Sequence, residues 1–137
     1  MAQASLTRSV RFRAAHHYRR PDWTAEQNRR AYGRSVEPHE HEYTLDVTVQ
    51  GDLDPGAGFL VDLDALDRVI EEVVEPLRGR NLVDAIDEAR QGRLLPSTEG
   101  LARWFFIRLE TKIPGAAVLR RIRVAESDAL AAEFPAG

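Results

Sequence analysis

The chain has 137 residues, 43% hydrophobic and 30% charged, which suits one globular domain, residues 1–137, with a modest core. Its net charge of −3, with arginines scattered among acids, gives no electrostatic case for nucleic acid or a membrane surface, and no run approaches transmembrane length. Cysteine is absent, which excludes disulfides, thiolate metal ligands and thiol nucleophiles; the first residues lack an apolar core of signal-peptide type, and a cytoplasmic protein is expected.

The first segment, "SLTRSVRFRAAH", alternates. Leu6, Val10, Phe12, Ala14 and His16 fall on one face, with Arg11, Arg13 and His17 on the other, so a strand with one buried side is predicted. Residues 17–38 are polar and read as a long excursion with a short helix after Thr24 as N-cap; a long loop in a small domain is often functional. "HEHEYTLDVTVQG" is a second strand, with His39, His41, Tyr43, Leu45, Val47 and Val49 on one face and Glu40, Glu42, Thr44, Asp46 and Thr48 on the other. "GDLDPGAG" is turn chemistry.

"FLVDLDALDRVIEEVVEPLRG" begins as a strand tail and becomes an amphipathic helix, its stripe being Leu66, Val69, Ile70, Val73, Val74 and Leu77 and its end marked by Pro76 and Gly79. "LPSTEGLARWFFIRLETKIPG" is a second helix, capped by Ser97 or Thr98 and stopped by Pro114-Gly115, with Leu101, Trp104, Phe105 and Leu109 on one side. "AVLRRIRVAES" is a third strand, placing Val118, Ile122, Val124 and Glu126 on one face, and "ALAAEF" a short fourth. The order β-β-α-α-β-β implies an α+β domain with both helices on one face of an antiparallel sheet.

Three of the four histidines, His16, His39 and His41, fall on inward faces of strands that would be neighbours, while His17 faces away. Three imidazoles with an open fourth position make a zinc site of catalytic type. The alternatives are a histidine pair at the polar start of an ordinary strand and a hydrogen-bonded core histidine. Glu126 is a second anomaly, because a buried carboxylate is costly unless paired. It suits either an ion pair with one of the many arginines or a ligand that offers two parallel N–H donors.

Five segments in chain order carry a resemblance: "FRAAH", "AEQNRRAYGRS", "HEHEYTLDVTVQGDLDPGAGFLVDLDAL", "PSTEGLARWFF" and "IRVAES". Together they resemble the 6-pyruvoyl-tetrahydropterin synthase and 6-carboxytetrahydropterin synthase family over nearly the whole chain. The resemblance implies the T-fold, a homo-oligomer (trimer, or hexamer of two stacked trimers) with active sites at subunit interfaces, and a zinc-dependent lyase of tetrahydrobiopterin or queuosine-type biosynthesis. It implies zinc on His16, His39 and His41, a small-molecule pterin anchored through its ring N–H and amino group by Glu126, and a pocket lined by Thr98 and Glu99.

The departures lie in the groups that move protons. Ser35 stands in the slot of the family's proton-transfer cysteine, and a serine hydroxyl is too weak an acid to replace a thiolate without an added base. In "LRGRNL", Arg78 and Gly79 stand in the slots of the family's Asp-His pair, and "HEH" places Glu40 between two ligands. Glu37 is the substitute acid–base group, since some relatives that cleave the pterin side chain use a Glu near this loop. Arg78 has a planar fork suited to phosphate or carboxylate. Three functions follow: a lyase acting on a dihydropterin such as 7,8-dihydroneopterin triphosphate, a retro-aldol side-chain cleavage using Glu37, or a non-catalytic zinc-containing pterin or purine binder. A cupin would share the "HEHEYTLD" pattern, but the two helices and the lack of a later histidine argue against it.

Overall fold

A computed structural model describes residues 2–137. Four strands, β1 (Gln3–His16), β2 (His39–Asp52), β3 (Val118–Ser127) and β4 (Leu130–Phe134), form one antiparallel sheet in the order β1-β2-β3-β4. Between β1 and β2 lies α1 (Ala25–Tyr32). Between β2 and β3 lie α2 (Leu63–Val74), two single-turn helices α3 (Leu82–Ala85) and α4 (Asp87–Arg90), and α5 (Thr98–Leu109). The predicted class and strand order hold, but α3 and α4 are additions to the sequence reading. They are too short for periodicity to register, and Asn81 starts α3 by accepting from the Val83 N–H.

One face of the sheet is the core. Phe12, Tyr43, Leu45, Val47, Val49, Ile122 and Val124 are all buried there against Leu66 and Ile70 of α2 and Leu101, Phe105 and Leu109 of α5. Phe12 stacks on Tyr43 at 5.2 Å and meets the edge of Phe105 at 6.1 Å, which ties β1, β2 and α5 at the centre. The opposite face is polar, with Thr7 bonded to Thr48 at 2.7 Å and Arg123 paired with Asp46 at 3.6 Å.

The capping expectations resolve simply. Thr24 and Gln27 make a reciprocal capping box on α1, and Ser97, not Thr98, caps α5 by accepting from the Gly100 N–H. Two expectations are corrected. Phe59 and Leu60 form no strand tail, and Phe59 is exposed, because the chain there only approaches the N-cap of α2 at Asp62. Val118 is exposed and Leu119 is buried in its place. Thr48 pairs with Arg121 while Val49 pairs with Leu119, so Arg120 is an extra residue in β3 and the inward parity changes there.

A second irregularity lies at the other end of β3. Ala125 pairs with Ala131 but Ser127 with Leu130, which leaves Glu126 as the extra residue. Bulges re-aim side chains, and this one stands beside the histidine-bearing ends of β1 and β2. The same end of β1 is covered by residues 79–81: the Gly79 N–H donates to the Arg13 carbonyl at 2.7 Å and the Ala15 N–H to the Arg80 carbonyl at 2.9 Å. Gly79 has φ +70°, a backbone conformation that suits glycine, and this lets the chain turn back onto the strand.

Candidate metal centre

In the β1–β2 register His16 pairs with His39, and Ala14 with His41. Since successive side chains alternate, His16, His39 and His41 emerge on one face at one end of the ladder. One nitrogen from each ring lies within 4.8 Å of the others, so this group could hold a metal ion. The rings stand nearly perpendicular, with centroids 4.5 Å apart for His16 and His39, 4.9 Å for His16 and His41, and 5.1 Å for His39 and His41.

Two backbone carbonyls fix which nitrogen is free. His16 Nδ1 lies 2.8 Å from the Pro96 carbonyl, and His39 Nδ1 lies 2.9 Å from the Glu37 carbonyl. A carbonyl only accepts, so each Nδ1 carries the proton and each Nε2 presents a lone pair. His16 is fully buried, and that burial lowers its pKa below the usual value, which keeps the ring neutral; the Pro96 bond opposes this shift but does not reverse it. Neutral imidazole with a committed Nδ1–H is the form that ligates metals. The Nε2 atoms of His16 and His41 are buried without an aligned hydrogen-bond partner among the described residues. Buried polar atoms seldom lack partners, so the donor set fits a cation.

Glu126 reaches the same place. Its side chain is 10% exposed, and its Oε2 lies 3.0 Å from His41 Nε2 and 3.5 Å from His16 Nε2. Its contact with His41 is close but not aligned as a hydrogen bond, since His41 Nε2 remains without one. The alternative of a buried pair with arginine is not what forms: Arg121 turns to Glu133 at 3.9 Å and Arg123 to Asp46 at 3.6 Å. His41 and Glu126 open onto a cleft of about 810 Å³ that also carries Arg11, Glu40, Glu42 and Arg123 on its walls.

The remaining candidates divide. Thr98 is buried at the start of α5, and its hydroxyl lacks a partner among the described residues, while Glu99 is exposed. Ser35 is half-buried, and its carbonyl accepts from the Tyr18 N–H at 2.7 Å. The Glu37 carboxylate is 67% exposed and pairs with Arg29 at 3.1 Å, so only its backbone carbonyl serves a histidine. Glu40 lies on the outer face, paired with Arg13 at 3.4 Å. Arg78 is not free for phosphate or carboxylate from outside: it bonds Glu71 at 3.0 and 3.1 Å, Glu75 at 3.1 Å and the Arg11 carbonyl at 3.0 Å. His17 stands apart from the cluster and accepts from the Asn81 amide at 3.1 Å.

Sequence reasoning missed several contributors. The Pro96 and Glu37 carbonyls orient two imidazoles, but a backbone atom leaves no mark in the residue type. Tyr18 lies outside the strand alternation, yet its ring meets His16 edge-on at 5.1 Å. Burial raises its pKa, with Glu126 and Glu99 adding to the effect, so the phenol stays protonated. Burial also raises Tyr43, helped by Glu126, and the Tyr43 hydroxyl has no partner among the described residues.

Fold and site together define a class: an antiparallel α+β sheet that gathers three imidazoles and a carboxylate at one end of adjacent strands. The comparisons with known proteins narrow this class. The family model for 6-pyruvoyl tetrahydropterin synthase matches residues 5–136. The human 6-pyruvoyl tetrahydrobiopterin synthase is 30% identical over 129 residues, covering 92% of this chain and 87% of the human protein. A dihydroneopterin monophosphate aldolase from Pyrococcus furiosus is 31% identical over 98 residues, covering 72% of this chain and 78% of its own. The solved structure of Caenorhabditis elegans 6-pyruvoyl tetrahydropterin synthase superposes with a TM-score of 0.90 at 22% identity, over 100% of this chain and 98% of that one. The chain belongs to the 6-pyruvoyl tetrahydropterin synthase family, and its fold is the T-fold.

Proposed function

We propose that this protein, acting as one domain from residue 1 to 137, is a zinc-dependent pterin lyase of the synthase type, acting on a dihydropterin such as 7,8-dihydroneopterin triphosphate. The observation that supports this best is the pair of lone-paired Nε2 atoms held toward each other by carbonyl-anchored rings. His16, His39 and His41 would hold the ion. Zinc in such a setting supplies Lewis-acid polarisation of a hydroxyl or carbonyl oxygen.

The chain's own groups do the rest. Glu126 accepts the ring N–H and the exocyclic amino group of the pterin in parallel, which gives orientation as well as affinity. On this reading Thr98, whose hydroxyl lacks a partner among the described residues, and the exposed Glu99 would help line the pterin pocket. Glu37 is the proton-transfer group of this reading, and its carboxylate must exchange Arg29 for the substrate to act. Ser35, in the cysteine slot, contributes a hydroxyl for hydrogen bonding, not a base. Arg78 and Gly79 hold the slots of the family's Asp-His pair but serve the fold, so standard synthase turnover is expected to be weak. The likeness to an aldolase supports retro-aldol cleavage of the side chain as the second reading, and a non-catalytic pterin or purine binder is the third. The protein works as a homo-oligomer in the cytoplasm in all three.

Product analysis with purified, zinc-loaded protein separates these readings. General acid–base catalysis by one group is worth about 10²–10⁴ in rate. Glu37→Gln should therefore lower kcat by about 10²-fold or more with little change in pterin affinity, while Glu126→Ala should weaken binding first. Robust synthase turnover left unchanged in Glu37→Gln would show that the acid–base assignment is wrong.

A further inference from the structure

We infer that the end of the sheet opposite the metal centre is a docking surface for another protein, one that presents an apolar anchor residue flanked by lysine or arginine. This surface is independent of the pterin reading. Gln3 pairs with Asp52 at this end and His16 with His39 at the other. At about 3.3 Å per residue the two ends of β1 lie roughly 40 Å apart.

The surface is built around Phe59. After β2 the chain closes a short loop on itself. The Gly58 N–H donates to the Asp54 carbonyl at 2.8 Å, the Asp54 N–H to the Phe59 carbonyl at 3.3 Å, and the Gly56 N–H to the Asp54 carboxylate at 2.9 Å. Phe59 is thus held out by a turn with its own hydrogen bonds. It is 61% exposed, more than any other large apolar side chain among the described residues. A single exposed apolar residue needs no explanation, but Phe59 borders a groove of about 580 Å³ lined by Leu60, Val61, Leu63, Pro114 and Gly115. An aromatic ring beside an apolar groove gains from removal from water. The groove lies at the strand ends and not along the open edges of β1 and β4.

Charge decides the occupant. Residues 51–64 carry four carboxylates, Asp52, Asp54, Asp62 and Asp64, and no lysine or arginine. Asp62 and Asp64 line the groove itself. Among the described residues none of the four forms an ion pair. Arg8, the guanidinium whose charge Asp64 feels, is held by Asp67 through two bonds of 2.7 Å. Two copies meeting groove to groove would set four carboxylates against four, and like charges across an interface are unfavourable. The arginine-rich excursion of a second copy is no better suited, because Arg20, Arg29 and Arg30 are paired with Asp22, Glu37 and Glu26. A different chain, with an aromatic or branched side chain between unpaired cations, satisfies the groove and the carboxylates together. Complementarity of this kind speeds encounter and narrows the choice of partner.

The test uses the full chain and a fluorescein-labelled peptide amide, Lys-Arg-Phe-Leu-Arg-Lys, read by fluorescence anisotropy at low ionic strength. Two controls carry the same label: Lys-Arg-Gly-Ser-Arg-Lys, which lacks the anchor, and Glu-Asp-Phe-Leu-Asp-Glu, which reverses the charge. The first peptide should bind, and both controls should bind at least about tenfold more weakly, the scale of an anchor residue. Added salt should weaken the interaction. Phe59→Ser should cost about tenfold in affinity and Asp64→Asn a smaller factor, with circular dichroism unchanged because both side chains are exposed. His39→Ala should leave the affinity as it is, which separates this surface from the metal centre. Absence of binding, equal binding of the acidic peptide, or an affinity unchanged in Phe59→Ser would overturn the inference. A smaller oligomer for Phe59→Ser in light scattering would show that a second copy fills the groove, and would overturn it as well.

Discussion

His39 is the informative residue among the three imidazoles. It is less buried than His16, and its orientation depends on a carbonyl two residues earlier in its own chain. Truncation there should leave the sheet intact, because the core positions of β2 begin at Tyr43. His39→Ala is therefore expected to keep the wild-type circular dichroism spectrum and unfolding midpoint in the metal-free state. Its zinc affinity should fall by more than the ~10–100-fold that outer-shell partners typically cost, as read by chelator competition. The residue types of this site were legible in the sequence: an H-x-H pair on one strand face, a third inward histidine on its neighbour and a carboxylate among apolar residues. Their orientation was not, since it depends on the Pro96 and Glu37 carbonyls and on a bulge at Glu126 that alternation alone does not reveal.

At the scale of elements, the excursion between β1 and β2 is held by polar closure and a row of aromatic rings. Asn28 is buried, accepts from the Arg20 N–H at 2.7 Å and donates to the Arg20 and Thr24 carbonyls at 3.1 Å each. Trp23 stacks on Tyr32 at 6.1 Å, Tyr32 meets Tyr18 at 5.8 Å, and Tyr18 meets His16 at 5.1 Å. Asn28→Ala strips three bonds; the Arg20 and Thr24 carbonyls keep the Trp23 and Asn28 N–H donors, while the Arg20 N–H loses its partner, a net cost of about 1 kcal/mol or somewhat more. Faster amide exchange confined to residues 18–37, with the sheet unchanged, is the expected result; uniform acceleration across the chain would contradict the local assignment. Helix α5 does the opposite job and holds the whole core. Phe105→Ala should cost about 3–5 kcal/mol in denaturant unfolding, because Phe105 is fully buried between Phe12 and Trp104. The long elements α2, α5, β1 and β2 were readable from period alone. Val118 was misplaced because an extra residue, Arg120, reverses parity within one strand, and α3 and α4 are each a single turn.

At the scale of the molecule, the sheet is open: among the described residues β1 and β4 pair on one side only, apart from the bridge between Ala15 and Asn81. Unpaired edges tend to be covered. On the proposed reading they join copies of the chain into a ring, so multi-angle light scattering at micromolar concentration should give a trimer or hexamer, and a stable monomer would contradict it. The claim on which the rest depends is that His16, His39 and His41 form a metal centre. Elemental analysis of protein purified without chelator or affinity-metal resin tests it most directly. Close to one zinc per chain, falling to background in the His16→Ala, His39→Ala and His41→Ala variants, is the expected result. Wild-type protein that is folded yet carries and takes up no stoichiometric divalent metal would contradict it.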